Sequence, residues 1–137
     1  MSEAQTPQAT QPPATDARTL AIVCYVLYLL AFTNGLTAIV GVVLAHIKRG
    51  ETRGTIWDSH FGNLVHVFWI GVVFWVLFIC AGLVWLAGSW HAVIVDDFLA
   101  PIFALPLLGL VFLAYVVWYL YRVVRGLLRA LENRAYA

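Results

Sequence analysis

The run NLVHVFWIGVVFWVLFICAGLVWLAG, residues 63–88, contains no Asp, Glu, Lys or Arg. About 20 apolar residues in a helix cover the roughly 30 Å of bilayer hydrocarbon, so an uncharged run of this length reads as a transmembrane helix. The same absence of charge extends from Asp58 to Asp96 and recurs between Arg18 and Lys48 and between Asp97 and Arg122. Over all 137 residues, 63% are hydrophobic and 11% charged, with a mean hydropathy of +0.88. A soluble globular chain is about 45–50% apolar and about 25% charged. This composition leaves almost nothing to cover a water-facing surface. The length allows one domain, and a net charge of +1 gives no reason to expect a nucleic-acid partner.

Upstream, residues 1–17 are rich in Gln, Pro, Thr and Ala and have no aromatic residue. Such a segment cannot bury enough apolar area to offset its ordering entropy and is expected to be a disordered cytoplasmic tail. It lacks the basic n-region of a cleaved signal peptide, the first basic residue being Arg18, so the apolar run that follows is expected to be retained. That run, Thr19 to Ile47, is interrupted at Asn34-Gly35, a dipeptide that marks turns. It is either one long tilted helix or a hairpin of two short helices, 19–32 and 36–48. Each short helix would reach about 20 Å at 1.5 Å per residue. Lys48 to Gly54 reads as a polar loop, and the next helix, 59–88, is expected to start at the capping residues Asp58 or Ser59. A turn holding Ser89, Trp90, His91, Asp96 and Asp97 follows. The last helix, 101–132, has Pro101 in its first turn and Pro106 at a kink or later start. The expectation is all-α: one helical membrane domain over 18–134.

Charge orients it. With a hairpin first, all eight Lys and Arg fall on one side, and Asp96 and Asp97 fall on the other. Cytoplasmic loops carry the Lys/Arg excess, which places both termini inside; a single first crossing would move Arg18 and the tail outside. Trp57, Trp85 and Trp90 fall where interfacial belts form, and Trp118, Tyr119 and Tyr121 mark the cytoplasmic end of the last helix. Beyond them Arg122, Arg125 and Arg129 repeat at three and four residues, a cationic face suited to anionic lipid headgroups or to solvent.

Little in the sequence can carry chemistry. Membrane-embedded ionisable residues mark proton relays and ion paths, and none occurs in these runs except histidines. His60 and Asn63 share a helix face, with His66 about 120° away, which is poor geometry for two ligands to one metal. His46 could approach His60 across the basic loop, so His46, His60 and His66 are the candidate haem or metal ligands. The plainer reading is an interfacial histidine satisfied by water, headgroups or Asn63. Cys24 and Cys80 are lone cysteines in apolar runs, where they behave as small hydrophobes. Gly71, Ala81, Gly82, Gly88 and Gly109 make no clean G-x-x-x-G within a span, and internal bundle packing accounts for them. There is no catalytic motif, and no cofactor is expected.

Lys48-Arg49-Gly50-Glu51, then Trp57, then Ser59-His60-Phe61 opening an aromatic-rich helix, resemble a known family. It comprises small bacterial membrane proteins of unknown function, grouped with the channel subunit of the chloroplast inner-envelope import translocon. The resemblance continues in Tyr25-Val26-Leu27-Tyr28-Leu29-Leu30, in Asn34-Gly35-Leu36-Thr37-Ala38 and in Val124-Arg125-Gly126-Leu127, and covers residues 18–136. It implies four membrane helices with both termini inside. Asn34, Gly35, Arg49, Gly50, His60, Phe61 and Trp69 are the signature positions it marks, with structural roles. The longer Asp96-Asp97 turn departs from its pattern.

Taken together, the expected protein is a multi-pass component of a bacterial inner (plasma) membrane with no enzymatic activity. Its partners would be the lipid bilayer, other membrane subunits or copies of itself. A small oligomeric channel or translocation component is the first alternative, and a haem- or metal-binding electron-transfer subunit the second.

Overall fold

A computed structural model describes residues 14–94 and 99–136; the expected tail up to residue 13 and the Asp96-Asp97 turn lie outside the described residues. Four helices occur: α1 (Ala14–Asn34), α2 (Leu36–Glu51), α3 (Ile56–Ile94) and α4 (Leu99–Leu131), with no strand among the described residues. The break at Gly35 is as the dipeptide predicts. Gly35 has φ +69°, a conformation that costs a residue with a Cβ, and it turns α1 back into α2. The side chain of Asn34 lies outside the described residues.

Three boundaries differ from expectation. α1 begins at Ala14, so residues 14–17 are helical, and Ala17 is buried. The basic segment is not all loop, because α2 continues through Glu51 with a Lys48–Glu51 ion pair at 2.6 Å one turn apart. α3 starts one turn early: the Thr55 hydroxyl accepts the Trp57 amide at 3.3 Å, so Thr55 rather than Asp58 or Ser59 caps the helix. At the other end α3 runs past Gly88 and takes in Ser89, Trp90 and His91. Pro106 sits inside α4 without ending it.

The chain forms two tiers. α2, 16 residues and about 24 Å long, lies antiparallel to α3 across a four-residue connection, so Leu36 is level with Gly71. α3 has 39 residues, about 58 Å. The 23 residues of α3 from 72 to 94 therefore extend about 35 Å past the tip of the α1–α2 hairpin, accompanied only by the first part of α4. Burial follows this division: no residue of α3 beyond Gly71, and none of α4 before Tyr119, is buried among the described residues.

In the four-helix tier the buried residues repeat every three or four positions, the signature of one inward helix face. They are Ala17, Ala21, Cys24, Tyr25 and Tyr28 on α1, with Gly41 and Ala45 on α2. α3 contributes Trp57, His60, Phe61, Leu64 and Val67, and α4 contributes Tyr119, Val123 and Ala130. Small residues let the helices approach, as they do in membrane bundles. A Cβ on Gly41 would meet the Tyr28 ring at 2.9 Å, and one on Gly126 would collide with the Tyr25 ring. Tyr28 donates to the Leu64 carbonyl at 2.8 Å, Tyr119 donates to the Tyr28 carbonyl at 2.8 Å, and the two rings stack. The Arg18 guanidinium donates to the Leu131 carbonyl at 3.0 Å, a cation at the negative end of α4. The two-helix tier is held by aromatic contacts, chiefly Phe74 flat on Tyr115 at 3.8 Å and Phe112 against Trp75 and Phe78.

Internal packing therefore explains Gly71, whose added Cβ would meet the Tyr115 hydroxyl at 2.9 Å. It does not explain Gly82, Gly88 and Gly109, which face open space. Two helical stretches, Ile56–His91 and Leu105–Leu131, are long and apolar enough to cross a membrane. Their apolar windows are 6% and 11% buried, which is not how the core helix of a soluble fold is placed. Gly126→Ala should cost about 1–3 kcal/mol, the usual penalty of overpacking. Gly82→Ala, in open space, should raise stability by up to about 1 kcal/mol. Thermal unfolding of the two variants in detergent micelles checks the contrast.

Candidate functional site

The polar side chains that α3 turns inward are His60 and Asn63, on one face as their spacing requires, and both are buried. Opposite them stand Tyr25 of α1 and Arg122 of α4. After α4, the tail residues Glu132 to Tyr136 fold back over the start of α3. The fold-back begins at Asn133, whose φ of 54° places it in the left-handed region. The Arg134 amide then returns to the Arg129 carbonyl at 2.9 Å and the Asn133 amide to the Ala130 carbonyl at 3.3 Å, a Schellman helix ending. The Tyr136 amide donates to the Ser59 hydroxyl at 2.9 Å, and Arg129 donates to the Ala135 carbonyl at 3.2 Å.

These groups form a single chain of hydrogen bonds with one direction. Arg122 donates through Nε and Nη2 to Asn63 Oδ1, at 3.1 and 2.8 Å. Asn63 Nδ2 donates to the Tyr25 hydroxyl at 3.3 Å. The carbonyl of Arg134, 2.7 Å from His60 Nε2, can only accept, so Nε2 carries a proton. In the neutral ring Nδ1 is then the acceptor, and Tyr25, 3.2 Å away, donates to it. Tyr25 receives from Asn63 and gives to His60. The chain is enclosed by rings: Trp57 lies 5.6 Å from His60, Tyr136 lies 6.3 Å from it, and the Arg122 guanidinium sits over Trp118 and Tyr136.

The arrangement differs from the expected sites at several residues. His60 is satisfied by Tyr25 and a tail carbonyl, not by water, headgroups or Asn63 directly. With both ring nitrogens engaged, it has none to give to haem or metal. His46 and His66 are exposed on the outer faces of α2 and α3, so the three candidate histidines do not converge. Among the described residues no group of three or more His, Cys, Asp or Glu could hold a metal ion. Arg122, expected on the cationic outer face, turns its Nε and Nη2 to Asn63, which offers a buried acceptor. Arg125 remains on the outer face, donating to the Tyr121 hydroxyl at 2.9 Å. Trp57 is buried at the charged end of the bundle, where it packs over His60.

The signature positions separate in the same way. Phe61 is fully buried, whereas Trp69 is 60% exposed and Gly50 faces open space. Arg49 pairs with Asp58 at 3.2 Å, and its guanidinium lies over Gly62. Tyr25, Tyr28, Tyr119 and Tyr136 were not among the expected site residues. Tyrosines three apart in the otherwise aliphatic run of α1 were the available signal, since a buried phenol needs a partner.

The hydrogen bonds of the site make a lock joining α1, α3, α4 and the tail. Neither a family model, nor a curated protein, nor a solved structure matches the chain. Tyr25→Phe keeps the ring on Gly126 but leaves His60 Nδ1 and Asn63 Nδ2 without a partner, and should cost about 1–3 kcal/mol. Combined with Asn63→Ala, the loss should fall short of the sum of the two, because both act on one chain. A double-mutant cycle on unfolding in detergent measures that coupling.

Proposed function

We propose that the chain is a multi-pass protein of a bacterial inner membrane, with both termini cytoplasmic, that acts by association within a membrane complex and not by catalysis. The observation that carries this reading is the division between the two ends of the molecule. All eight Lys and Arg, and the whole Arg122–Asn63–Tyr25–His60 chain, lie at the end where α1 begins and α4 finishes. The far tier presents almost nothing but exposed aliphatic and aromatic side chains. Positive charge marks the cytoplasmic side, and the resemblance to small bacterial membrane proteins of unknown function points the same way.

Association is favoured over conduction by what fills the four-helix tier. Tyr25, Tyr28, Leu64, Val67 and Val123 are fully buried along its centre, so a single chain has no lumen. Electron transfer is disfavoured by the two engaged nitrogens of His60. Arg125 and the outer surface of α4 are suited to anionic headgroups.

Reporter fusions before Arg18 and after Tyr136 should both read as cytoplasmic, and one at Asp97 as periplasmic; a periplasmic N-terminus would overturn the orientation. Co-purification from native membranes in mild detergent should bring down a stoichiometric membrane protein. Recovery of the chain alone, with conductance in planar bilayers, would replace association with the channel reading.

A further inference from the structure

We infer that α1–α2 is a half-membrane hairpin, entering and leaving by the charged face, and that the cleft beneath its tip holds an acyl chain of a lipid from the opposite leaflet. The inference rests on the membrane reading above and sharpens it from four crossings to two. Its first support is depth. The tip at Gly35–Leu36 is level with Gly71, 13 residues along α3 from Asp58, while α3 continues uncharged for 23 more residues to Ile94. That remainder alone is about 35 Å long, more than the roughly 30 Å of hydrocarbon. If the tip reached the far interface, the whole two-helix tier would stand in water, with Leu83, Val84, Leu86 and Trp90 exposed on it. Tilt shortens the two parts of α3 in the same ratio, because α2 is packed along α3 and α1 along α4 and tilt with them.

The second support is the tip itself. Non-helical backbone is tolerated at membrane depth only where its polar groups are satisfied or covered. The Gly35 amide donates to the Ala31 carbonyl at 2.8 Å, and the Gly35 carbonyl accepts the Ala38 amide at 3.2 Å. The nearest charged residues along the chain are Arg18 and Lys48, and Leu36 is 66% exposed at the turn. This is a turn built for hydrocarbon and not for headgroups.

The third support is the cleft. It has a volume of about 570 Å³, with Gly35 and Ala38 above and Trp75, Phe112 and Tyr115 along its walls. Its lining is mostly apolar, so water gains nothing there. The hairpin fills the near leaflet above the cleft, and the cleft is continuous with the exposed face of α3–α4 that descends through the far leaflet. A lipid chain rising from that leaflet is therefore its occupant.

The test uses single cysteines in a Cys24→Ala, Cys80→Ala background, in sealed right-side-out cells with a membrane-impermeant maleimide. His91→Cys should label fully from outside, while Leu36→Cys should not label until detergent is added. Labelling of Leu36→Cys from outside, like His91→Cys, would overturn the half-membrane hairpin. Failure of His91→Cys to label from outside would instead overturn the membrane orientation on which it rests. A fluorophore on Leu36→Cys should be quenched more strongly by lipids labelled in mid-chain than at the headgroup; the reverse order counts against the inference. For the occupant, Ile39→Cys at the cleft edge should remain monomeric under a thiol cross-linker in membranes. A cross-linked dimer would give the cleft to a second copy and overturn the lipid assignment.

Discussion

The charged end of the molecule closes on Tyr25. Its ring lies where a side chain on Gly126 would be, so α1 and α4 meet at backbone distance. Its hydroxyl joins the side chains of Asn63 and His60 by hydrogen bonds. One residue thus sets the spacing of two helices by bulk and the facing of a third by hydrogen bonding. Inside a poorly polarisable bundle each such bond is electrostatically stronger than in water, and an unmade one is correspondingly costly. Along the chain the arginine gives, the amide and phenol pass on, and the imidazole ends on a carbonyl of the tail. The tail is held there by that bond together with those from Tyr136 to Ser59 and from Arg129 to Ala135.

A second constraint follows from helix length. Only the first 16 residues of α3 have α2 beside them, and every buried position of α3 lies within that stretch. The remainder is stabilised by one seam of rings with α4 and by whatever surrounds it. Trp75, Leu77, Leu83 and Val84 would be a liability in water, because contiguous apolar surface of this extent drives association or aggregation. In hydrocarbon it costs nothing. On the membrane reading proposed above, the polar lock organises the end near water and lipid supports the end that has no internal core.

Much of this architecture could be read from residues alone. The uncharged runs located the helices, and Asn34-Gly35 located the turn, because those signals are local. The starting point of α3 was missed by one turn because Thr55 caps through its own hydroxyl, while Asp58 and Ser59 are equally good capping types a few residues on. The relative level of the helices was illegible for a different reason: periodicity reports a face but not a depth. The same limit explains Arg122. It shares a stripe with Arg125 and Arg129, and nothing in that stripe says which member faces Asn63. The burial of Trp57 is equally illegible, because it comes from the bundle and from a contact with the His60 ring one turn along α3.

The histidine shows how a residue type can mislead when its partners are unknown. A histidine beside basic residues at a membrane boundary invites a ligand or a proton path, and His46, His60 and His66 together invite a metal. A ligand needs a nitrogen with a free lone pair held in place by the other nitrogen's hydrogen bond. His60 has the second half of that arrangement, through the Arg134 carbonyl, but its lone pair is already taken by Tyr25. The same two bonds that would orient a ligand histidine here complete a structural chain. The distinction lies wholly in Tyr25, which stands 35 residues away on another helix, and so the role of His60 is a property of the bundle and not of the motif in which it occurs.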